Sequence, residues 1–220
     1  MSTFITPDGG LTGAGYAAFI IAAVAALLIG SVLAGNRSKK KIFPAKQLAF
    51  CGLALALAFV TSYVHIYKLP FGGSVTLFSM LFIVLIANWY GAGTGILVGL
   101  VYGIMQFIQE PYFLTFFQVC CDYLFAFAAL GIAGFFRNKK NGLTIGYIAG
   151  VIGRGVFASI AGYVFWMDYM PETFPSSLDW AYPVIYNFSY LLAEGIVTLI
   201  VINIPAMKKA LSQVKTMALS

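Results

Sequence analysis

Charge is what this sequence has least of. Of its 220 residues only 9% are Asp, Glu, Lys or Arg, against roughly 25% in soluble domains, and that shortage excludes a water-soluble globular fold. There is one histidine, His65, and there are three cysteines, Cys51, Cys120 and Cys121, all in apolar runs. No Cys/His set with metal-site spacing can be drawn from them, so the cysteines are expected as buried free thiols. No G-x-x-x-x-G-K-[ST] loop occurs, so any ATP hydrolysis belongs to another polypeptide. No base precedes the first apolar run, which argues against a cleaved signal peptide.

What the chain does have is hydrocarbon: 61% of residues are hydrophobic and the mean hydropathy is +0.91. The apolar runs are about 17 to 25 residues long, the length of membrane helices rather than of barrel strands. An all-α integral membrane protein follows. The first run, Leu11 to Ala34, is followed by Arg37, Lys39, Lys40 and Lys41 and reads as an anchor with its N-terminus outside. Six further spans are predicted at 45–66, 75–90, 92–109, 113–136, 143–167 and 180–204, making seven, with the C-terminus inside. The expected organisation is an extra helix and basic loop over 1–43, a six-helix domain over 44–209 and a tail over 210–220.

With this topology 11 of the 13 bases fall on the cytoplasmic side, Lys68 lies outside and Arg154 lies in a span, as the positive-inside bias requires. The bases sit between helices, so membrane lipid rather than nucleic acid is the expected neighbour. Asp8, Glu110, Asp168, Glu172 and Asp179 are placed outside. That negative face would concentrate a cationic solute, or it simply reflects insertion.

Asp122 lies inside the apolar run QVCCDYLFAFAALGIAGFF, residues 118–136. A charge at the centre of a membrane helix costs about 2.5 to 3.5 kcal/mol on insertion scales, so it faces a partner, a cavity or a ligand. Two readings stand side by side: a ligand-binding acid, or a structural acid paired with Arg154. Entering from outside, Asp122 sits roughly 14 Å deep at 1.5 Å per residue. Trp166 and Asn187 also fall in the outer half. Ala158, Gly162 and Trp166 share one helical face, and Tyr182, Tyr186, Asn187 and Tyr190 lie in the next span. An acid and an amide supply acceptors and donors for a heteroaromatic edge, and the rings supply faces for a flat or cationic guest.

Small residues mark helix contacts. Gly91, Gly95, Gly99 and Gly103 repeat every four residues, a stripe for close packing. Ala54 and Ala58, with Gly52 and Ala56 beside them, form either an internal contact or a face for a partner. Between the second and third spans, Pro70, Gly72 and Gly73 in KLPFGGSV mark an outer turn that could cover a pocket.

Residues 45 to 209 resemble the thiamine-specific S components (ThiT, or YuaJ) of energy-coupling factor transporters. The resemblance rests on LPFGGSV at 69–75, DYLFAFAALGIAGFF at 122–136, RGVFASIAGYVFW at 154–166 and YPVIYNFSY at 182–190, in the family's order and spacing. It implies a six-helix protein with an outward pocket for thiamine, served by a coupling membrane protein and two ATPases, with no cofactor of its own. It also implies that Asp122 meets the aminopyrimidine, that Tyr123 follows it, that Trp166 stacks on the rings, and that Tyr182 and Asn187 complete the site. Phe71, Gly72, Gly73 and Ser74 would form the gate, and Ala54 and Ala58 the face toward the coupling protein. Two positions depart from the pattern: Ala158 stands where the family has histidine, and Gly73 falls near the gate tryptophan of some members. Glu194 matches no family site; pairing with Arg154 is one reading of it. The competing functions are an S component for another small cationic or heteroaromatic vitamin, an intramembrane enzyme using Asp122, Arg154 and Glu194, and an assembly protein whose polar residues only join helices.

Overall fold

The computed structural model describes residues 43–220, the isolated positions Ala14 and Ala17, and for Phe71 the backbone alone. The expected span Leu11 to Ala34 and its basic loop lie outside the described residues. The described chain forms α1 (Ala45–Ser62), β1 (His65–Lys68), β2 (Ser74–Thr76), α2 (Ser79–Tyr90), α3 (Ala92–Gln109), α4 (Phe116–Phe136), α5 (Gly142–Phe165), α6 (Tyr182–Asn203) and α7 (Pro205–Leu219). Five of its helices are long and apolar enough to cross a membrane, and the protein is a multi-pass membrane protein.

The exception in length is α2, with 12 residues. It is apolar on every side, the signature of a helix enclosed by others, and ten of its residues are buried. It packs against α1, α3, α4 and α5. The sequence pattern predicts a longer span, 75–90, preceded by a helix reaching residue 66. Instead the chain turns back as an antiparallel hairpin, with His65 opposite Thr76, Tyr67 opposite Val75 and Lys68 opposite Ser74. Ile66, Tyr67, Val75 and Thr76 favour the pleated backbone, and their apolar character hid the strands inside two apolar runs. A helical turn at Pro70–Gly72, with Gly72 at φ 94°, closes the hairpin.

The glycine stripe packs as its spacing predicts. A Cβ added at Gly99 would stand 3.0 Å from Ala128 Cα, and one added at Gly103 would stand 2.9 Å from the Tyr123 carbonyl carbon. Backbone therefore meets backbone along α3 and α4, which sets the height of α4 beside α3.

On α1 the expectation for Ala54 and Ala58 as a partner face is corrected. Both point inward: Ala58 is fully buried, and the Tyr102 hydroxyl donates to its carbonyl at 3.2 Å. Residues two apart on a helix lie on opposite sides, so the outward small pair is Gly52 and Ala56. A Cβ at Gly52 would meet nothing within 4 Å.

Residues 210–220, expected as a tail, continue α7 to Leu219. Pro205 opens this helix in the position where its missing N–H does no harm. Tyr90 donates to the Ala218 carbonyl at 2.9 Å and fixes the far end of α7 against α2.

Glu194 is where the hairpin is fastened to the bundle. It lies on α6 and is buried; its carboxylate accepts from Thr76 N at 3.0 Å, Thr76 Oγ1 at 2.7 Å and Met80 N at 3.4 Å. It thereby satisfies Thr76 at the end of β2 and one N–H of the first turn of α2 that has no partner within the helix. Its expected pairing with Arg154 does not occur: among the described residues the ion pair is Lys68–Glu110. Glu194→Ala would strand these buried donors. It is expected to cost about 2 to 3 kcal/mol, read as a lower thermal unfolding midpoint in detergent, with Glu194→Gln losing less because it keeps an acceptor.

Candidate functional site

A cavity of about 150 Å³ opens at the hairpin end of the bundle, among the hairpin turn, α3, α4, α5 and α6. All the substrate-binding residues expected from sequence, Asp122, Tyr123, Trp166, Tyr182 and Asn187, line it, with Gly72, Gly73 and Ser74 at its lid.

Asp122 is presented by an irregular stretch of α4. Residues Cys120–Phe125 form a π-helical turn, between α-helical Phe116–Val119 and Ala126–Ala128. A π turn widens the helix by one residue and re-aims the side chains it carries. Thr115 caps this helix by accepting from Gln118 N at 3.1 Å. The Gln118 side chain, fully buried, donates to Asp122 Oδ2 at 2.7 Å while its own oxygen accepts from Leu114 N at 3.1 Å. From the opposite side the Trp166 indole N–H donates to the same Oδ2 at 3.0 Å.

Asp122 is thus held by two neutral donors, and the expected alternative of a structural pair with Arg154 is not realised. Arg154 instead places its guanidinium carbon 4.2 Å from the centre of the Phe127 ring, and both residues line the cavity. Asp122 and Glu194 are engaged with separate partners, so the acid/base trio of the enzyme reading is not assembled.

Trp166 ends α5, with Tyr112 at 5.7 Å and Tyr169 at 5.3 Å between ring centres. A second aromatic row runs along α6, where Tyr182, Tyr186 and Tyr190 follow at 5.9 and 6.0 Å. These two rows bring ring faces and edges to one hollow, as recognition of a flat cation requires.

Asn187 is more occupied than its sequence position implies. Its amide donates to the Ala158 and Pro183 carbonyls at 3.2 and 2.8 Å, and its oxygen accepts from Tyr190 at 2.8 Å. It ties α6 to α5 at the cavity wall. Tyr123 is likewise committed: its hydroxyl donates to Glu110 O at 2.8 Å and accepts from Tyr112 N at 3.2 Å, holding the α3–α4 connection.

The lid is pinned to α6 by Tyr186, whose hydroxyl donates to the Pro70 carbonyl and accepts from Gly73 N at 3.1 Å. A Cβ added at Gly73 would stand 2.8 Å from both the Tyr186 oxygen and the Tyr190 ring. A side chain at this position would have to displace Tyr186 and Tyr190 from the turn.

Sequence reasoning missed three groups. Gln118 lies four residues before Asp122, one helical turn away, which was the available signal. Gln106 and Gln109 line the cavity and are joined to Ser62: Gln106 donates to Ser62 Oγ at 2.9 Å, and Ser62 donates to Gln109 at 3.0 Å. Tyr112 and Tyr169 lie in connections and carry no periodic signal.

The profile of the "Thiamine transporter protein (Thia_YuaJ)" family matches residues 48–214. The curated thiamine transporter ThiT of Bacillus subtilis (strain 168) is 32% identical over 154 residues, spanning 61% of this chain and 76% of the relative. A solved structure of ThiT from Listeria monocytogenes superposes with a TM-score of 0.58 at 22% identity, covering 70% of this chain and 92% of the other; that likeness shows a shared fold. Over the residues that build both bundle and cavity, the chain belongs to the Thia_YuaJ thiamine transporter family, multi-pass proteins of the plasma membrane with a transport rather than an enzymatic role.

Proposed function

We propose that this chain is the substrate-binding membrane subunit of an energy-coupling factor importer and binds thiamine, or a precursor that keeps its aminopyrimidine, in the cavity at the hairpin end. The observation that carries the reading is the setting of Asp122, a carboxylate held by Gln118 and Trp166 rather than by a cation. Its charge is left uncancelled, and it accepts from the exocyclic amine of the ring while the flanking aromatics meet the cationic portion.

In this reading Trp166 and Tyr182 cover the rings, Asn187 and Tyr123 hold the wall, and the turn from Phe71 to Ser74 is the gate. A coupling membrane protein and two ATPases supply the energy, and the chain itself needs no cofactor. The coupling membrane protein's contact on α1 is the outward pair Gly52 and Ala56, which lets a helix approach closely. With Leu11 to Ala34 as a further span, seven spans place the hairpin end and the N-terminus outside and the basic end inside.

A second reading, another small cationic or heteroaromatic vitamin, is favoured by Ala158. Its side chain ends at Cβ, and its carbonyl is already used by Asn187, so no ring-facing contact arises there. A competition panel against thiamine separates the two readings.

The chain has three tryptophans, Trp89, Trp166 and Trp180, so replacing the first and last isolates Trp166. Saturable quenching of Trp166 by thiamine is expected; its absence with both thiamine and its aminopyrimidine precursor would overturn the assignment. Asp122→Asn is expected to weaken binding by roughly 10- to 150-fold, the worth of a charge-assisted hydrogen bond.

The gate carries its own expectation. Tyr186→Phe removes both bonds to the turn, so thiamine is expected to dissociate roughly tenfold faster with little change in the association rate. Stopped-flow quenching reads both rates. An unchanged dissociation rate would show that the turn is not what retains the ligand.

A further inference from the structure

The end of the bundle opposite the cavity holds a second cleft, of about 260 Å³, to which no role has been given. It is lined by Asn88 and Trp89 from the end of α2, Arg137 and Asn138 from the turn after α4, and Lys215 and Leu219 from α7. Three elements far apart in sequence thus bring two cations to one hollow.

None of the lining residues is acidic. The acids among the described residues are Glu110, Asp122, Asp168, Glu172, Asp179 and Glu194; none lies on an element that forms this cleft. Two like charges sharing a cleft repel unless an anion joins them.

A donor is waiting there as well. The Asn88 side chain is 5% exposed and its amide nitrogen has no partner, although buried amides are nearly always satisfied. Beside it Trp89 and the half-exposed Leu219 form an apolar wall. Arg137 directly follows the last residue of a membrane-length helix, so the cleft lies where headgroups meet acyl chains. Cation, amide donor and hydrocarbon wall in that order match a phospholipid: phosphate inward, chain along the wall.

We propose that this cleft is a binding site for the phosphate group of an anionic phospholipid in the leaflet at the basic end, held by Arg137 and Lys215 with Asn88. The lipid bridges α2, the turn after α4 and α7 and so fastens the terminal helix to the bundle.

The test uses the purified full chain in nanodiscs of phosphatidylcholine with increasing phosphatidylglycerol, followed by thermal unfolding. The expected result is a saturable rise in Tm of about 2 to 4 °C that the Arg137→Gln/Lys215→Gln double variant abolishes. A control double variant, Lys139→Gln/Lys140→Gln, removes two bases of the same turn outside the cleft and is expected to keep the rise. A helical circular-dichroism spectrum and a cooperative unfolding transition, with Trp89 kept, verify that each variant is folded. Equal loss in both double variants, or no loss in either, would reduce the effect to diffuse surface charge and overturn the site. A rise reproduced by millimolar inorganic phosphate in phosphatidylcholine alone would overturn the lipid assignment in favour of a soluble anion.

Discussion

Two hydrogen bonds to one oxygen set the character of the cavity: Gln118 and Trp166 both donate to Asp122 Oδ2. A carboxylate taken from water must be compensated, and the means of compensation decides what it can still do. A guanidinium would have cancelled its charge and left a structural pair. Neutral donors stabilise the ionised oxygen while leaving the charge to a guest. The π turn makes this possible, because it aims residue 122 at the end of α5, where Trp166 waits. The support extends outward: Gln118 is set by Leu114 N, Tyr123 by Glu110 O, and the backbone of Tyr123 by the absent side chain of Gly103. The recognition element is therefore inherited from helix packing several residues away.

Two intramembrane acids, both costly to bury, have been given different surroundings by their partners. Glu194 takes three bonds, two of them from backbone N–H groups, and lies in the core; it is spent on structure. Asp122 takes two bonds and lines the cavity, the setting that the proposed recognition role needs. The consequence reaches the lid. Its β2 end is fixed to α6 through buried Thr76 and Glu194, whereas its turn is fixed to the same helix through Tyr186 at the cavity mouth. In the gate proposed above, opening breaks only the second attachment. That proposal makes buried Thr76 the hinge and Tyr186, at the cavity mouth, the latch.

Much of this was legible in the sequence, and the parts that were not share a cause. The five membrane-length helices and their order followed from run length, whereas α7 stood as a tail, and the glycine stripe foretold close packing within the bundle without naming α4 as its partner. Asp122 stood out because only a rare polar residue carries information against an apolar background. The same background concealed the hairpin, since Val75 and Thr76 suit a strand and a membrane helix alike. It also concealed which side of α1 faces inward. Core and lipid are both hydrocarbon, so Ala54 and Ala58 could not be told from Gly52 and Ala56 by composition. Gln118 was passed over for another reason: an amide has meaning only beside the group it bonds, and that relation belongs to the fold.

The two ends of the bundle handle charge in opposite ways. At the hairpin end the exposed base Lys68 has its acid, Glu110, at 2.6 Å. At the other end Arg137 and Lys215 converge with no acidic side chain beside them. Sorting bases to one side orients the chain during insertion, but it also leaves those bases, among the described residues, without an acidic side chain to pair with, because the acids have been sorted the other way. Electroneutrality at that end must be supplied by the surroundings, and the nearest dense supply of fixed anions is the lipid headgroup layer itself. A rule that acts on topology therefore leaves behind, in the folded protein, a surface whose complement is the membrane; where it deepens into a cleft lined by an unsatisfied amide, attraction becomes a site.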